Sequence, residues 1–301
     1  MRITLVFLVA FSFLASPAYS QQEPLRIGKI AWNPQGDLLA ASTDQGVWTF
    51  TATREPVQRI TSYQGSILDL KWSPNGNYIA ASMWLQPGAA LRVWDVTTLQ
   101  MILDIPITRS EFLPIAWHPS DLFLAYPTYQ GISIWNLTTG EVQHEIEGLS
   151  HATISFQWDS NGNGLLIADS SGTVHLWNSI TDTLVNMLST GQDIAQAVFS
   201  PDNSLVALQV RDSVEIWNIL TSRHTATIQV GWMLDLAWNT EWLASSNKDG
   251  ITIWNNETWQ PIETQSYPGG IFDLEWSPDG SQLAYVDKGS LEIIQIASIS
   301  P

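Results

Sequence analysis

The stretch WDSNGNG, residues 158–164, decides how the rest of the chain is read. Asp159, Asn161, Asn163 and Gly164 fit the opening of a calcium loop of the D-x-[DN]-x-[DN]-G type. Such a loop also needs a bidentate carboxylate at its twelfth position, because calcium takes six to eight oxygens. The twelfth residue here is Ser170, and Leu165 to Ala168 between them are apolar with no ligand to offer. The alternative comes from six other stretches with the same layout: AWNPQGDLLAAS, KWSPNGNYIAAS, AWHPSDLFLAYP, VFSPDNSLVALQ, AWNTEWLASS and EWSPDGSQLAYV. Each is a short apolar strand ending in an aromatic, then a tight turn, then a second apolar strand. Pro presets φ after the aromatic, while Asn, Asp and Gly tolerate the left-handed backbone that closes a hairpin. WDSNGNG is therefore the fourth copy of a turn.

The aromatics that open these units are Trp32, Trp72, Trp117, Trp158, Phe199, Trp238 and Trp276, spaced 40, 45, 41, 41, 39 and 38 residues apart. A second series follows each one, anchored at Phe50, Trp94, Trp135, Trp177, Trp217, Trp254 and Ile294. Phe50 rather than Trp48 belongs to it, because its distance from Gly46 matches that from Gly131 to Trp135. Two interlocked series at a period near forty predict an all-β propeller of seven four-stranded antiparallel blades.

The alternation of WSPDG turns with GTVHLWN-type strands resembles the WD-repeat β-propellers, over residues 27 to 301. The resemblance implies a fold, and for function it implies a non-enzymatic scaffold that binds other proteins. The repeats are degenerate. The family's Gly-His pair is missing throughout, only Asp95 completes a Trp-Asp pair, and Asn136, Asn178, Asn218 and Asn255 stand in the other copies. The family's loop aspartate survives only as Asp212 and Asp249, and its strand hydroxyl as Ser42, Ser82 and Ser246. Its hydrogen-bonded network is thus incomplete in every blade, which leaves aromatic packing to carry more of the stability. The eleven tryptophans in the two series, and Trp242 outside them, are expected in the core. TolB-like periplasmic propellers share the WSPDG turn and are the nearest alternative, but the recurring IWN strand argues against them.

Residues 1–20 lie outside the repeat. Arg2, the apolar run Ile3 to Ala15, and Ala18 and Ser20 in SPAYS read as a secretory signal cleaved after Ser20. Residues 21–301 then form one propeller domain, exported to a periplasm or the extracellular space in the manner of a secreted bacterial protein. The apolar run is too short for an ordinary membrane span. The chain has no cysteine, which excludes disulfides, thiolate metal sites, thiol catalysis and a lipoprotein-type anchor. With 12 basic and 29 acidic residues and no basic cluster, it is not built to hold nucleic acid or an anionic membrane.

Chemistry is sparse. His118, His144, His151, His175 and His224 show no ligand spacing and are assigned to a hairpin turn, an outer strand, an inter-blade loop, a third strand and a late turn. DSSG at 169–172 is a strand turn and not a nucleophile elbow. No catalytic residue, metal or cofactor is assigned. Asp69, Asp235 and Asp273 each precede a first-strand aromatic by three residues, so they are candidates to gather at the central channel, there to hold a cation or take part in catalysis. The plainer expectation is that each accepts amide hydrogen bonds from its own inter-blade loop. Recognition is expected on the face that carries the inter-blade loops and the turns between second and third strands. Tyr63, Trp84, Phe112, Tyr129, Trp232 and Tyr267 fall there as candidate anchors, unless they fold back onto the blades. An exported enzyme or carbohydrate-binding module using the channel is the alternative reading. Finally, the last blade stops after its third strand. The missing outer strand would be supplied by residues near Ser16 to Gln21 or by a strand-donating partner.

Overall fold

The computed structural model describes residues 25–63, 65–107 and 113–296. Among them are seven antiparallel sheets and no helix; six sheets have four strands and the seventh has three. The first strands of the blades are Ile27–Trp32, Ser66–Trp72, Ala116–Trp117, Thr153–Trp158, Ile194–Phe199, Met233–Trp238 and Ile271–Trp276. In every blade the first-strand aromatic faces one second-strand aliphatic, which in turn faces the third-strand anchor. Trp158, Leu165 and Trp177 form that row in blade four. Trp32, Leu39 and Phe50 form it in blade one, so Phe50 holds the register position expected of it.

Local chemistry explains the turns. In WDSNGNG the Asp159 carboxylate accepts the amides of Asn161 (3.1 Å) and Asn163 (2.9 Å), and no ligand shell surrounds it. In five of the other six copies a Ser or Asn directly after the aromatic does the same work: Tyr78 N donates to Ser73 Oγ and Gln282 N to Ser277 Oγ, each at 2.9 Å, while in blade three His118 Nδ1 accepts Ser120 N at 3.0 Å. Gly162 is required here. It sits at φ +72°, and a Cβ would lie 2.2 Å from His118 Nε2, whose ring bonds the Gly162 carbonyl at 3.0 Å. The residue after the third-strand Trp caps the next turn: Asp95 accepts Thr97 and Thr98 amides, and Asn255 accepts Glu257 and Thr258 amides. Only a side-chain oxygen is needed, so Asn replaces Asp without loss.

The core is a ring of seven apolar clusters, each shared by two neighbouring blades. Eight of the eleven series tryptophans are buried, and so is Trp242. Trp135, Trp217 and Trp238 are only half-buried, although all three pack against their clusters. His224 lies on the outer strand Arg223–Gln229, a correction to its assignment to a turn. The insertion around Trp84 is not a loose loop: it lengthens two strands, Tyr78–Leu85 and Gly88–Asp95, into a projecting hairpin.

Blade seven ends with Ser290–Gln295 as its outermost described strand. The segment proposed to complete it, and the signal itself, lie outside the described residues. Contacts among the described residues also cross the seam between blades seven and one. Ile27 N donates to Gly289 O at 2.7 Å, Arg54 pairs with Glu292, and Leu25 packs onto the cluster joining the two blades.

Candidate functional site

Side chains alternate along a strand, so positions one and three residues before each first-strand aromatic lie on one face of the blade, and all of them but Ala31 line the central cavity. Three before, the ring reads Lys29, Asp69, Pro114, Ser155, Gln196, Asp235 and Asp273. One before, it reads Ala31, Lys71, Ala116, Gln157, Val198, Ala237 and Glu275. Residues from all seven first strands line the central cavity, which encloses about 960 Å³. Its wall has two halves. In these two columns blades six, seven, one and two supply four carboxylates and two ammonium groups, and blades three to five only hydroxyl, amide and apolar groups; beyond the columns the Asp159 carboxylate of blade four also lines the cavity.

The three aspartates are brought to the channel, but they do not bond their own loops. Each reaches across to the first strand of the following blade. Asp69 Oδ2 accepts Ile115 N (2.9 Å), Asp235 Oδ2 accepts Leu274 N (2.7 Å), and Asp273 Oδ2 accepts Ile30 N (2.7 Å). The amides in question sit two residues before the next aromatic every time. First strands of neighbouring blades do not share a sheet, so these amides have no ladder partner on that side and a carboxylate supplies one. Gln196 plays the same part with reversed polarity, its Nε2 donating to Leu236 O at 3.2 Å. Indoles add a second lacing: Trp72 Nε1 donates to Ala31 O (3.0 Å) and Trp32 Nε1 to Glu275 O (3.2 Å).

Lys29, Lys71 and Glu275 were not picked out from the sequence. Lys29 Nζ lies 2.7 Å from Asp273 Oδ1, Lys71 Nζ 3.8 Å from Asp69 Oδ1, and Glu275 Oε2 accepts Trp32 N at 2.8 Å. Lys71 is exposed, yet it is encircled by the ring, so the water it meets is channel water. Burial works against the Lys29 ammonium, but Asp273 and then Asp235 outweigh it and hold its proton more tightly than usual. Asp69 foremost does the same for Lys71. Burial, then the charge of Asp273, pushes the Asp235 carboxyl up to about 6. Burial pushes Glu275 up to about 8, against the pull of Lys71.

These shifts fix a pH dependence. A folded carboxyl that keeps its proton above the unfolded value contributes stability that is full below that value and is lost as pH rises through the folded one. For Glu275 the window runs from 4.5 to about 8, and for Asp235 from 3.8 to about 6. Asp202 and Asp279, lowered chiefly by the Ser200 and Ser277 hydroxyls, have opposite sign but act below the ordinary carboxylate range. The melting temperature is therefore expected to fall between pH 5 and 8, and Glu275→Gln to remove most of that fall. A scanning-calorimetry profile with the same slope in the variant and the parent would contradict the assignment.

The cation reading finds little support in the geometry. Among the described residues no three His, Asp or Glu side chains are grouped to hold a metal ion. His175 is buried between Asp169 Oδ2 (2.9 Å) and Asn186 Oδ1 (2.8 Å), so its polar atoms are satisfied within blade four.

The recognition candidates divide. Tyr63 folds back, its hydroxyl donating to Thr43 O at 3.0 Å. Tyr267 packs against Tyr285 and receives that residue's hydroxyl proton at 2.9 Å, sitting over the blade-six and blade-seven cluster. Trp84, Tyr129 and Trp232 stand free, with 48%, 73% and 74% of their surface exposed. Phe112 lies outside the described residues. Phe272, 60% exposed, was missed because it sits inside a first strand, where an aromatic reads as core.

A family model for the WD40 domain of anaphase-promoting complex subunit 4 matches residues 30–119, the first two blades and the opening of the third. That match, the seven-bladed ring and the two aromatic series agree. The chain is a β-propeller of the WD-repeat type. Its similarity to WD repeat-containing protein AAC3 of Dictyostelium discoideum is 24% identity over 222 residues, 63% of this propeller and 46% of that protein. To U3 small nucleolar RNA-associated protein 15 of Schizosaccharomyces pombe it is 27% over 205 residues, covering 64% and 41%. To the F-box-like/WD repeat-containing protein TBL1X of Mus musculus it is 23% over 139 residues, covering 45% and 25%. The propeller spans less than half the length of each of these relatives. No helix among its described residues is long and apolar enough to cross a membrane.

Proposed function

We propose that this propeller is an exported, non-enzymatic scaffold that holds a protein partner on the face formed by its inter-blade loops and second-to-third-strand turns. The observation that carries the reading is the exposure of Trp84, Tyr129 and Trp232 on that one face. Large rings left in water with polar neighbours are the usual anchors of a protein interface. The matching model describes a domain of a multi-subunit complex, and that description supports the same role. The reading of residues 1–20 as a secretory signal supports export, and mass spectrometry of the secreted chain tests it: an N-terminus at Gln21 is expected.

The interface is tested by replacing Trp84, Tyr129 and Trp232 with Ser together. None is in the core, so the melting temperature should stay within about 2 °C of the parent, while capture of a partner identified by cross-linking in the exported fraction is lost. Unchanged capture would remove this face from consideration.

A further inference from the structure

A second cavity, of about 1000 Å³, lies between blades two, three and four and shares only Leu68 with the channel. Its walls come from the start of the strand Ser66–Trp72, from Trp84, from the second-to-third-strand turn at 127–131 and from the inter-blade loop at 149–153. Trp84 and Tyr129 both line it, both are largely exposed, and both stand on fixed backbone. Trp84 belongs to Tyr78–Leu85, which is paired on one side with Ser66–Trp72 and on the other with Gly88–Asp95. The Tyr129 turn is closed by Thr128 N, which donates to Gly131 O at 2.8 Å. It requires glycine at 131, where φ is +154° and a Cβ would lie 2.0 Å from Ile146 O. Among the described lining residues there is no carboxylate, ammonium or guanidinium group, on a chain with 29 acidic and 12 basic residues. None of them belongs to the outer strand of a blade.

We propose that this cavity receives a neutral, proline-rich segment of the protein partner in the polyproline II conformation, with its pyrrolidine rings against Trp84 and Tyr129. The inference rests on the interface proposed above and names what two of its three rings read. Charge complementarity selects a neutral occupant, because this lining would leave a Lys, Arg, Asp or Glu of the visitor desolvated and unpaired. The sheet excludes an added strand, because the strand carrying Trp84 is already paired on both sides and no outer strand reaches the cavity. A polyproline II segment needs no ladder. Its carbonyl oxygens point outward without internal partners, and the Trp84 indole, the Tyr129 hydroxyl and the Gln130 amide are donors that suit them. Its shape is largely set before binding, so rings on fixed backbone meet it with little entropy lost. A neutral sugar would also stack on the rings, but its hydroxyls donate as well as accept, and the described lining has no carboxylate to receive them.

The test is to pan a random dodecapeptide phage library against the full-length protein and to synthesise the enriched sequences. Uncharged peptides with closely spaced prolines are expected. Trp84→Ser and Tyr129→Ser should each weaken them at least ~10-fold, as should replacing the peptide's prolines by alanine. Trp84→Phe, which keeps a ring, should lose less. Trp232→Ser, on the same face but outside the cavity, should bind like the parent. Circular dichroism of each variant guards against misfolding. Enrichment of charged or proline-free peptides would overturn the proposal, and so would equal affinity for Trp84→Ser and the parent, or a library that yields no binder. Maltohexaose binding that Trp84→Ser abolishes would give the cavity to a neutral sugar instead. If the Trp84→Ser, Tyr129→Ser pair loses the cross-linked partner while the enriched peptides lack proline, the interface stands and this occupant falls. Partner capture unaffected by the pair counts against both.

Discussion

Trp177→Ala is expected to lower the unfolding free energy by about 4 kcal/mol, the upper range for removing a large aromatic from a core. Trp177 is 2% exposed and lies in the cluster shared by blades three and four. Its ring meets Trp158 and His144 edge-on, with centroids 6.0 and 5.3 Å away, and its Nε1 donates to Asp182 at 3.0 Å. Truncation therefore opens a cavity, removes two aromatic contacts and loses the indole hydrogen bond to Asp182. The surrounding sheets are tied at both faces and have little freedom to collapse into the gap. Trp232→Ala, a substitution of the same size on the exposed face, should cost under about 0.5 kcal/mol. Urea unfolding of the two variants checks the contrast. A loss below 1 kcal/mol for Trp177→Ala would mean that the aromatic rows do not carry the stability.

The second large effect is expected at the seam. Lys29→Met should destabilise the ring by about 3 kcal/mol at pH 7, because it leaves Asp273 nearly buried beside Asp235 with only the more distant Lys71 to balance it. The sign of the pH response follows. Without Lys29 both carboxyls hold their protons to higher pH, so the variant should recover stability as pH falls from 7 towards 4. Adding Asp273→Asn to Lys29→Met should restore much of the loss, since an amide oxygen still accepts Ile30 N and Asp235 no longer faces a second carboxylate. A double variant as unstable as the single one would show that the ammonium acts through packing alone.

The rows of aromatics were legible because each is written within one repeat. Trp158, Leu165 and Trp177 meet through turns of a few residues, so local spacing specifies their register, and the choice of Phe50 over Trp48 rested on nothing more. The channel was only partly legible. Asp69, Asp235 and Asp273 stood out by occupying one column, but their partners are contributed by the next blade, and Lys29 meets Asp273 across 244 residues. A period shows that such columns exist without showing which neighbour a side chain turns to. Reading the two channel columns around the whole ring, not only their acidic members, would have found Lys29, Lys71 and Glu275. Tyr63 and Tyr267 shared the signature of Trp232 in sequence. Their burial depends on a carbonyl and a second tyrosine that only the folded face provides.

A ring of seven look-alike units presents a visitor with seven settings of nearly equal appearance. The two-halved wall of this channel removes that degeneracy. With most of the ionisable groups of the two columns along one arc, the ring acquires an azimuth. Rotation of a docked partner by one blade from blade six would carry its charge to Asp273 and Glu275 of blade seven or to Gln196 and Val198 of blade five. The same asymmetry bears on the gene's history of duplication. Copies of a repeat become addresses once their axial residues diverge, and in this chain the divergence lies in two columns of the innermost strands while the packing rows stay alike.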